Sequence, residues 1–432
     1  MRARDGRCPA AAGVLAAALI AAQVAVAKTT LTVAVVWGPT GSASAGFEPV
    51  AEAFERLHPD VEVEFLWNAA LADRATEAAS TKVITMAAGG VPPDITMVGG
   101  QAVPQYAVQG LLMPLDAFIR SSGVRPGDFI PPAWRQTMWD GHVYAMTLQV
   151  DPNFALVWNQ TLFAQAGLDT ARGPATLEEW EAHFRKLTKI GPDGSLTHLG
   201  SAPWSTYGNA NTVFTWSWVF GGQFYDYATR RVTAGHPLNV AAVEWLRDYH
   251  QRYATLPQGN LAFPNGNLGM TFAVTAAVRD WRDRFPDIPL GIGFEPYRAG
   301  SGSPNPSWIG GWAAGIMTGT DHPELAWELL HFMTATPEGT AIFARPSGWI
   351  PAYLRSPIFV EFARDPVMRT YLEIAQKARY QRPAMPVIAD YMDELDRAFA
   401  AVLAGSAQPA DALGFVQEKI QRRQDEVLAA LK

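Results

Sequence analysis

Cysteine is almost absent from this chain of 432 residues, and the single one, Cys8, lies within the first 27 residues. Those residues combine a basic start, an alanine-rich apolar run and the small-residue end Ala25-Val26-Ala27, a pattern typical of a secretory signal peptide cleaved before Lys28. A retained membrane anchor is the alternative, but no basic stop-transfer flank follows the run. Cleavage leaves no thiol, which excludes disulfides, thiolate zinc sites and cysteine nucleophiles.

Long hydrophobic runs and basic blocks are also missing after the signal segment. A membrane helix needs about 18 uninterrupted apolar residues, and no later stretch supplies them. The formal net charge is −7, and loss of three Arg and one Asp with the signal segment makes it more negative by two. An acidic chain of this kind disfavours nucleic acid and anionic membranes as partners. Its length favours two lobes over a single core.

Signatures of catalysis and of metal binding are lacking as well. The eight His are scattered, without an HExxH motif, which disfavours a His-based metal site. Gly41 to Gly46 have the glycine spacing of a P-loop, but Phe47-Glu48 follow in place of Lys-Ser/Thr. There is no GxSxG elbow of the esterase type. The sequence therefore predicts no metal and no cofactor.

The mature chain begins with alternating strand and helix patterns separated by short turns, which is typical of a parallel α/β sheet. In such sheets ligands bind beyond the carboxyl ends of the strands. Trp37, Trp67 and the turn Gly99-Gly100-Gln101 all fall at such ends. The patterns predict strands at Leu31–Trp37, Val61–Trp67 and Asp94–Val98, and helices over Phe47–Leu57 and about 71–88.

The second half of the chain carries further element signals. Thr176 and Glu179 match a capping box at a helix start. The Gly-, Pro- and Ser-rich stretch 291–307 indicates a crossing between lobes, and Gly310–Met317 reads as the strand that follows it. From about Pro386 onward we expect two helices separated by Gly405-Ser406.

Aromatic residues are abundant, with 15 Trp, 12 Tyr and 21 Phe. The apolar face of a pyranose stacks on such rings, and its hydroxyls need Asp, Asn, Gln or Arg nearby. Most single aromatics are simply buried, and Asp94 reads as a structural turn residue. Aromatics and polar residues at predicted strand ends and loops give the candidate ligand contacts Trp37, Trp67, Gln101, Tyr144, Asp151, Asn153, Trp204, Trp216, Phe272, Gly311, Trp312 and Arg345.

The chain resembles the family 1 extracellular solute-binding proteins, the group that includes maltose-binding protein. The resemblance rests on motifs whose order and spacing agree over nearly the whole mature chain. They are the strand ending at Trp37, Ala53–Pro59, Ala87–Ile95, Gly110–Leu115, Gly141–Met146, Ala155–Asn159, Gly221-Gly222 and Gly310-Gly311.

The resemblance implies a periplasmic binding protein fold of type II, with two α/β lobes joined by hinge strands and a ligand cleft between them. The first lobe would comprise 28–147 and 312–346, and the second 148–311 and 347–432. By position, the family's contacts carry over to Trp37, Trp67, Gln101, Asp151, Trp216, Phe272 and Trp312, and less directly to Arg345. We expect a periplasmic monomer that binds a mono- to oligosaccharide and delivers it to the permease of an ABC importer.

Three other functions stay open at this point. A secreted glycoside hydrolase would need two carboxylates facing each other across the bond, and Asp151 is the one acid placed in the cleft. A binding protein for a polyol or a glycerol phosphodiester would favour arginines, and Arg345 is the only candidate. A sensory or adhesive module would have the same sequence pattern.

Overall fold

A computed structural model describes residues 28–71, 78–153, 155–302 and 305–431. The predicted signal peptide, with Cys8, lies outside the described residues. Within the described ranges, no helix has the length and apolarity required to cross a membrane.

The strands are short apart from the two that connect the halves of the molecule. They are β1 (Thr29–Val35), β2 (Val61–Trp67), β3 (Ile95–Gly99), β4 (Met138–Trp139), β5 (His142–Val143), β6 (Met146–Asn153), β7 (Ala155–Asn159), β8 (Lys189–Ile190), β9 (Leu196–His198), β10 (Tyr225–Asp226), β11 (Arg231–Val232), β12 (Met270–Ala273), β13 (Leu290–Gly293) and β14 (Trp308–Ile316).

The helices surround these strands. They are α1 (Phe47–Leu57), α2 (Ala78–Ala88), α3 (Val103–Val108), α4 (Asp116–Ser122), α5 (Pro131–Gln136), α6 (Gln160–Gln165), α7 (Leu177–Leu187), α8 (Asn209–Val219), α9 (Pro237–Tyr253), α10 (Thr275–Arg284), α11 (Pro323–Ala335), α12 (Pro337–Ser347), α13 (Ile358–Phe362), α14 (Pro366–Lys377), α15 (Ile388–Leu403) and α16 (Pro409–Ala430). Short 3-10 turns occupy Ser42–Ser44, Gly100–Ala102 and Pro126–Asp128.

A five-stranded sheet with the order β2-β1-β3-β14-β6 forms the first lobe. Strands β1, β2 and β3 are parallel, and β14 runs antiparallel between β3 and β6. Asp94 lies just before β3 and accepts hydrogen bonds from the Thr32 backbone N–H and the Thr320 hydroxyl, at 2.8 and 2.5 Å. It therefore ties β1 to the chain after β14, which supports the structural role expected for it.

The second lobe is built on a three-stranded antiparallel sheet with the order β12-β7-β13. Helices α8, α9, α15 and α16 pack on one another, and Trp216 of α8 contacts Phe272 of β12. Helix α8 is unusual because every residue from Thr212 to Val219 is buried. Its side chains face neighbours on all sides, so this helix forms the centre of the lobe.

Three connections join the lobes. Strand β6 of the large sheet ends one residue before β7 of the small sheet begins, and residues 294–307 lead back from β13 to β14. A third connection follows α12, where Ile350 bridges Val150 and Tyr380 bridges Trp308. The lobe boundaries expected at 147/148 and 311/312 fall inside β6 and β14, and they stay a prediction.

The lobes touch directly at their facing surfaces. The backbone N–H of Ala389 in α15 donates to Oε1 of Gln105 in α3, at 3.2 Å. Arg230 of the second lobe forms an ion pair with Asp140 of the first, at 2.9 Å. These contacts and the hinge strands bring residues of both lobes together along one boundary.

Candidate functional site

Three indoles meet at the carboxyl end of β1. The ring of Trp37 lies edge-on to Trp312, with centroids 5.5 Å apart, and is stacked on Trp349 at 5.9 Å. Trp312 is held in place by β14, where it pairs with Gly99 at the end of β3. Trp349 follows Gly348, whose φ of +75° ends α12 in the left-handed conformation. Trp37 and Trp312 are half-buried, so part of each ring faces outward beside the hinge.

Several polar side chains are buried next to this cluster without a hydrogen-bond partner among the described residues. They include Nε2 of Gln101 and of Gln136, both amide atoms of Gln149, and Oδ1 of Asp151. Gln149 pairs with Trp312 across β6 and β14, and the Gln136 amide packs on the backbone just before Gln101. Buried polar atoms are nearly always satisfied in native proteins, so a row of unsatisfied ones indicates a site for a polar ligand or for water.

Asp151 lies on the same strand as Gln149, two residues further along. One of its oxygens accepts a hydrogen bond from the backbone N–H of Thr275, in the first turn of α10. Burial raises the pKa of the carboxyl from 3.8 to about 7, and the Thr275 N–H opposes this shift in part. The group is therefore poised between its neutral and charged forms near neutral pH.

A cavity of about 720 Å³ opens where the lobes face each other, and we call it the interlobe cavity. The first lobe contributes α5 and the β4–β5 hairpin, and the second contributes the end of α8 with the chain that follows. Arg230 lies 5.2 Å from the centre of the Trp139 ring while it pairs with Asp140. The wall includes Arg135, Trp139, Asp140, Trp218, Tyr225, Arg230, Arg379 and Tyr380.

A second cavity of about 460 Å³ lies between α10 and the ends of α12, α13 and α14. Thr275, which contacts Asp151, lines it together with Gly348, which precedes Trp349. Arg345 also lines it, but its guanidinium is engaged by Glu361 at 2.7 Å. The unsatisfied polar row is thus linked to this second cavity through Thr275, whereas its relation to the interlobe cavity is that Gln136 follows Arg135 in α5.

Five of the residues predicted as ligand contacts come together at this boundary. Trp37, Gln101, Asp151, Gly311 and Trp312 lie along the carboxyl edge of the large sheet. Gly311 has a φ of +145°, and its backbone packs against the Gln149 carbonyl so closely that no side chain fits.

Two further predicted contacts lie nearby in the first lobe. Trp67 ends β2 and is half-buried, with its ring against Phe47 and Phe65 at 6.0 and 5.1 Å. Tyr144 is half-buried beside the β4–β5 hairpin, where its N–H donates to Thr137.

The structure places the remaining predicted contacts elsewhere. Trp216 is fully buried among Trp180, Trp245 and Phe272, because α8 is enclosed on every side. Phe272, only 6% exposed, shares that core. Trp204 packs edge-on to His250 of α9 at 5.8 Å, and the side chain of Asn153 lies outside the described residues.

Sequence reasoning missed several residues that border the site. Trp349 carried a usable signal, because it follows a glycine at a helix end. Trp139 did too, since Asp140-Gly141 after it is a hairpin turn. Gln149 also carried a signal, because Thr147, Gln149 and Asp151 alternate with apolar residues and so share one face of the predicted strand. Arg135 and Arg379 gave no local signal, since only the fold brings them to one cavity.

The fold and the boundary site together define a two-lobed α/β binding protein. Among the described residues no group of three or more His, Cys, Asp or Glu is arranged to hold a metal ion. The chain belongs to the bacterial extracellular solute-binding proteins, since the pattern that defines this family matches residues 37–340. The family predicted from the sequence is thereby confirmed.

Individual relatives agree with this assignment. A binding protein of Brucella abortus is 21% identical over 375 residues, which cover 84% of this chain and 86% of the relative. The structure of CpMnBP1 with mannobiose bound superimposes with a TM-score of 0.75 at 23% identity, over 90% of this chain and 99% of the other. UgpB from Mycobacterium tuberculosis in complex with glycerophosphocholine gives a TM-score of 0.74 at 18% identity, over 94% and 99%. These likenesses confirm the two-lobed fold.

Proposed function

We propose that this protein is the sugar-binding component of an ABC importer and that it holds a mono- to oligosaccharide at the boundary between its lobes. One observation carries the proposal: unsatisfied buried polar atoms of Gln101, Gln136, Gln149 and Asp151 lie next to the half-buried rings of Trp37 and Trp312. A sugar fits both parts of this site. Its apolar ring face stacks on indole, and its hydroxyls donate hydrogen bonds to, and accept them from, the unsatisfied polar atoms. The mannobiose bound to CpMnBP1 supports the same ligand class.

The acids near the site favour binding without chemistry. Four carboxylates line the two cavities, and three of them are held by arginines: Asp140 by Arg230, Glu361 by Arg345 and Asp365 by Arg282. The fourth, Asp283, is exposed on α10, eight residues beyond the Thr275 that contacts Asp151. Eight helical residues span about 12 Å, so Asp151 and Asp283 do not form a close pair. A glycosidase needs two free carboxyl groups roughly 5–9.5 Å apart across the scissile bond. We therefore infer that the protein is not an enzyme.

The mechanism we infer is capture by lobe closure. The three connections between the lobes act as a hinge, and a sugar that touches both lobes stabilises the closed form. The loaded, closed protein would then present a surface that a membrane permease recognises. We retain the predicted lobe boundaries, a signal peptide cleaved near Ala27/Lys28, a periplasmic location and a monomeric state as parts of this proposal.

A thermal-shift screen of the mature protein against neutral sugars and polyols tests the ligand class. A sugar present at 100 times its dissociation constant should stabilise the fold by about 2.7 kcal/mol. Trp37→Ala should then weaken binding by about 1–3 kcal/mol in calorimetry, because it removes the centre of the indole cluster. Trp204→Ala is the matched control, since Trp204 packs on His250 of α9 and takes no part in the indole cluster. Equal affinity in both variants would refute the assigned site.

Pull-down of the tagged, sugar-loaded protein with detergent-solubilised membranes tests the partner. Enrichment of permease subunits over the sugar-free sample is expected, since docking should depend on the closed form. Equal recovery with and without sugar would contradict coupling of capture to transport.

A further inference from the structure

The interlobe cavity is positively charged although the chain is acidic overall. Its wall carries Arg135, Arg230 and Arg379 against a single carboxylate, Asp140. The formal net charge of the whole chain is −7. An excess of cations in this one cavity therefore runs against the composition of the protein and favours an anionic occupant.

The three arginines are not equivalent. Arg230 is already neutralised by Asp140 at 2.9 Å and lies over Trp139. Arg135 and Arg379 make no ion pair or side-chain hydrogen bond with any of the described residues, and both side chains are exposed. Two guanidinium groups are thus available to the cavity.

These two arginines come from different parts of the fold. Arg135 lies in the last turn of α5 in the first lobe. Arg379 lies in the third connection, where its N–H donates to Ser307 just before β14. An anion held between them would join the first lobe to the hinge, so binding it would favour one arrangement of the lobes.

The remaining wall suits a sugar ring better than a small free anion. Half-buried Tyr380 stacks on Trp218, which is only 2% exposed, with centroids 5.5 Å apart and an angle of 19°, so Tyr380 is the ring of this pair that can face a ligand. Half-buried Trp139 lies on the opposite, first-lobe side. A volume of about 720 Å³ is within the range of sites for ligands larger than one sugar ring.

We propose that the interlobe cavity binds the carboxylate of an acidic carbohydrate of the uronic acid class, with Arg135 and Arg379 as its receptor groups. The planar guanidinium fork matches a carboxylate in two parallel hydrogen bonds, and the aromatic wall receives the ring that carries it. This inference rests on the proposed sugar-binding function and names the class of sugar. Phosphate also accepts two parallel hydrogen bonds from a guanidinium, so the test includes it as a separate arm.

Calorimetry on the wild-type mature protein compares matched ligands. Di- and trisaccharides of galacturonate, glucuronate and mannuronate are titrated beside the neutral galactose, glucose and mannose compounds of the same linkage, with glycerol 3-phosphate as the phosphate arm. At least one acidic compound should bind at least tenfold more tightly than its neutral counterpart. That preference should decrease between 50 and 500 mM NaCl, because salt screens the exposed arginines.

Two double variants assign the preference to residues. Arg135→Gln with Arg379→Gln should reduce the preference for the acidic compound to less than twofold. Arg56→Gln with Arg120→Gln removes the same charge from exposed positions outside the interlobe cavity and should leave the preference intact. Melting temperatures show whether both variants are folded. If a variant fails to fold, the comparison of acidic with neutral ligands on the wild-type protein still tests the preference for uronic acids.

The outcomes separate this inference from the function on which it rests. Binding of neutral sugars as tightly as acidic ones overturns the inference and leaves the proposed function standing. Tighter binding of glycerol 3-phosphate than of every uronide overturns it in favour of a phosphate ligand. No binding in either carbohydrate series contradicts the proposed function itself.

Discussion

Asp151→Asn should make the protein more stable at alkaline pH while changing little at acid pH. Asp151 is 8% exposed, and among the described residues the N–H of Thr275 is the one hydrogen-bond partner of its carboxyl. It also lies close enough to the buried Tyr371 hydroxyl to raise the pKa of that group. A negative charge on Asp151 is therefore poorly compensated. The Asn side chain has the same shape and carries no charge, so the substitution removes this cost.

The magnitude follows from the pKa shift. Burial raises the pKa of Asp151 from 3.8 to about 7, so the folded protein binds this proton more tightly than the unfolded chain does. Below pH 3.8 the carboxyl is neutral in both states and costs nothing. Between pH 3.8 and 7 the free energy of unfolding falls as pH rises, and above pH 7 the full loss is reached. A shift of about three units corresponds to about 4 kcal/mol, an upper limit.

Urea unfolding at pH 4.5, 6, 7 and 8.5 measures this difference. The stability of the Asn variant relative to wild type should rise from pH 4.5 to 7 and level off by pH 8.5. Asp287→Asn, at an exposed position, should follow the wild-type curve. A difference between Asp151→Asn and wild type that does not change with pH would refute the poorly compensated charge.

Two further substitutions test the hinge and the boundary. Gly311→Ala should lower the free energy of unfolding by about 1–3 kcal/mol, because its φ is +145° and a Cβ would collide with the Gln149 carbonyl. Gly127→Ala, where a Cβ meets open space, is the control in thermal unfolding, and equal melting temperatures would contradict the strain. Asp140→Asn should cost less than about 1 kcal/mol in urea unfolding, since its ion pair with Arg230 is exposed. A larger loss would show that this pair holds the lobes together.

Much of the fold followed from local patterns. The strand predicted at Val61–Trp67 has those bounds, and the helix over Phe47–Leu57 is equally accurate. Apolar residues alternate in the strand and recur every three to four positions in the helix. This spacing shows which face is buried, and it can be seen from neighbouring residues alone. The predicted strand at Leu31–Trp37 is displaced to Thr29–Val35, which moves Trp37 beyond the strand end and into the indole cluster.

The capping box at Thr176 shows where local reasoning is only partly right. The Thr176 hydroxyl accepts from the Glu179 N–H at 3.2 Å, as the pattern predicts. The Glu179 carboxylate instead accepts from the N–H of Ala175, at 2.8 Å, and is also paired with Arg172. Such a partner lies outside the motif, so the motif alone does not reveal it.

Candidate site residues could be predicted where they follow the end of a single strand. They could not be predicted where segments from both lobes come together. Trp37 and Gln101 follow parallel strands, and the carboxyl-end rule places such residues at the ligand edge. Trp216 also has aromatic and polar neighbours in sequence, as a ligand contact would. Its burial results from the packing of α9 and α15 around α8, which the local sequence does not show. Arg135 and Arg379 are 244 positions apart, and no sequence pattern links them.

The unsatisfied polar row also explains why a ligand should control lobe closure. A buried donor or acceptor without a partner costs about 1–3 kcal/mol, and Gln101, Gln136, Gln149 and Asp151 contribute five such atoms. The protein around them supplies no partner, so ligand hydroxyls or ordered water must do so. Water can reach these first-lobe atoms when the lobes are apart, whereas closure without a ligand leaves them buried and unsatisfied, and a bound sugar removes that cost. The free energy of those hydrogen bonds therefore differs between the open and closed forms, and that difference is what a ligand needs in order to shift the population toward closure.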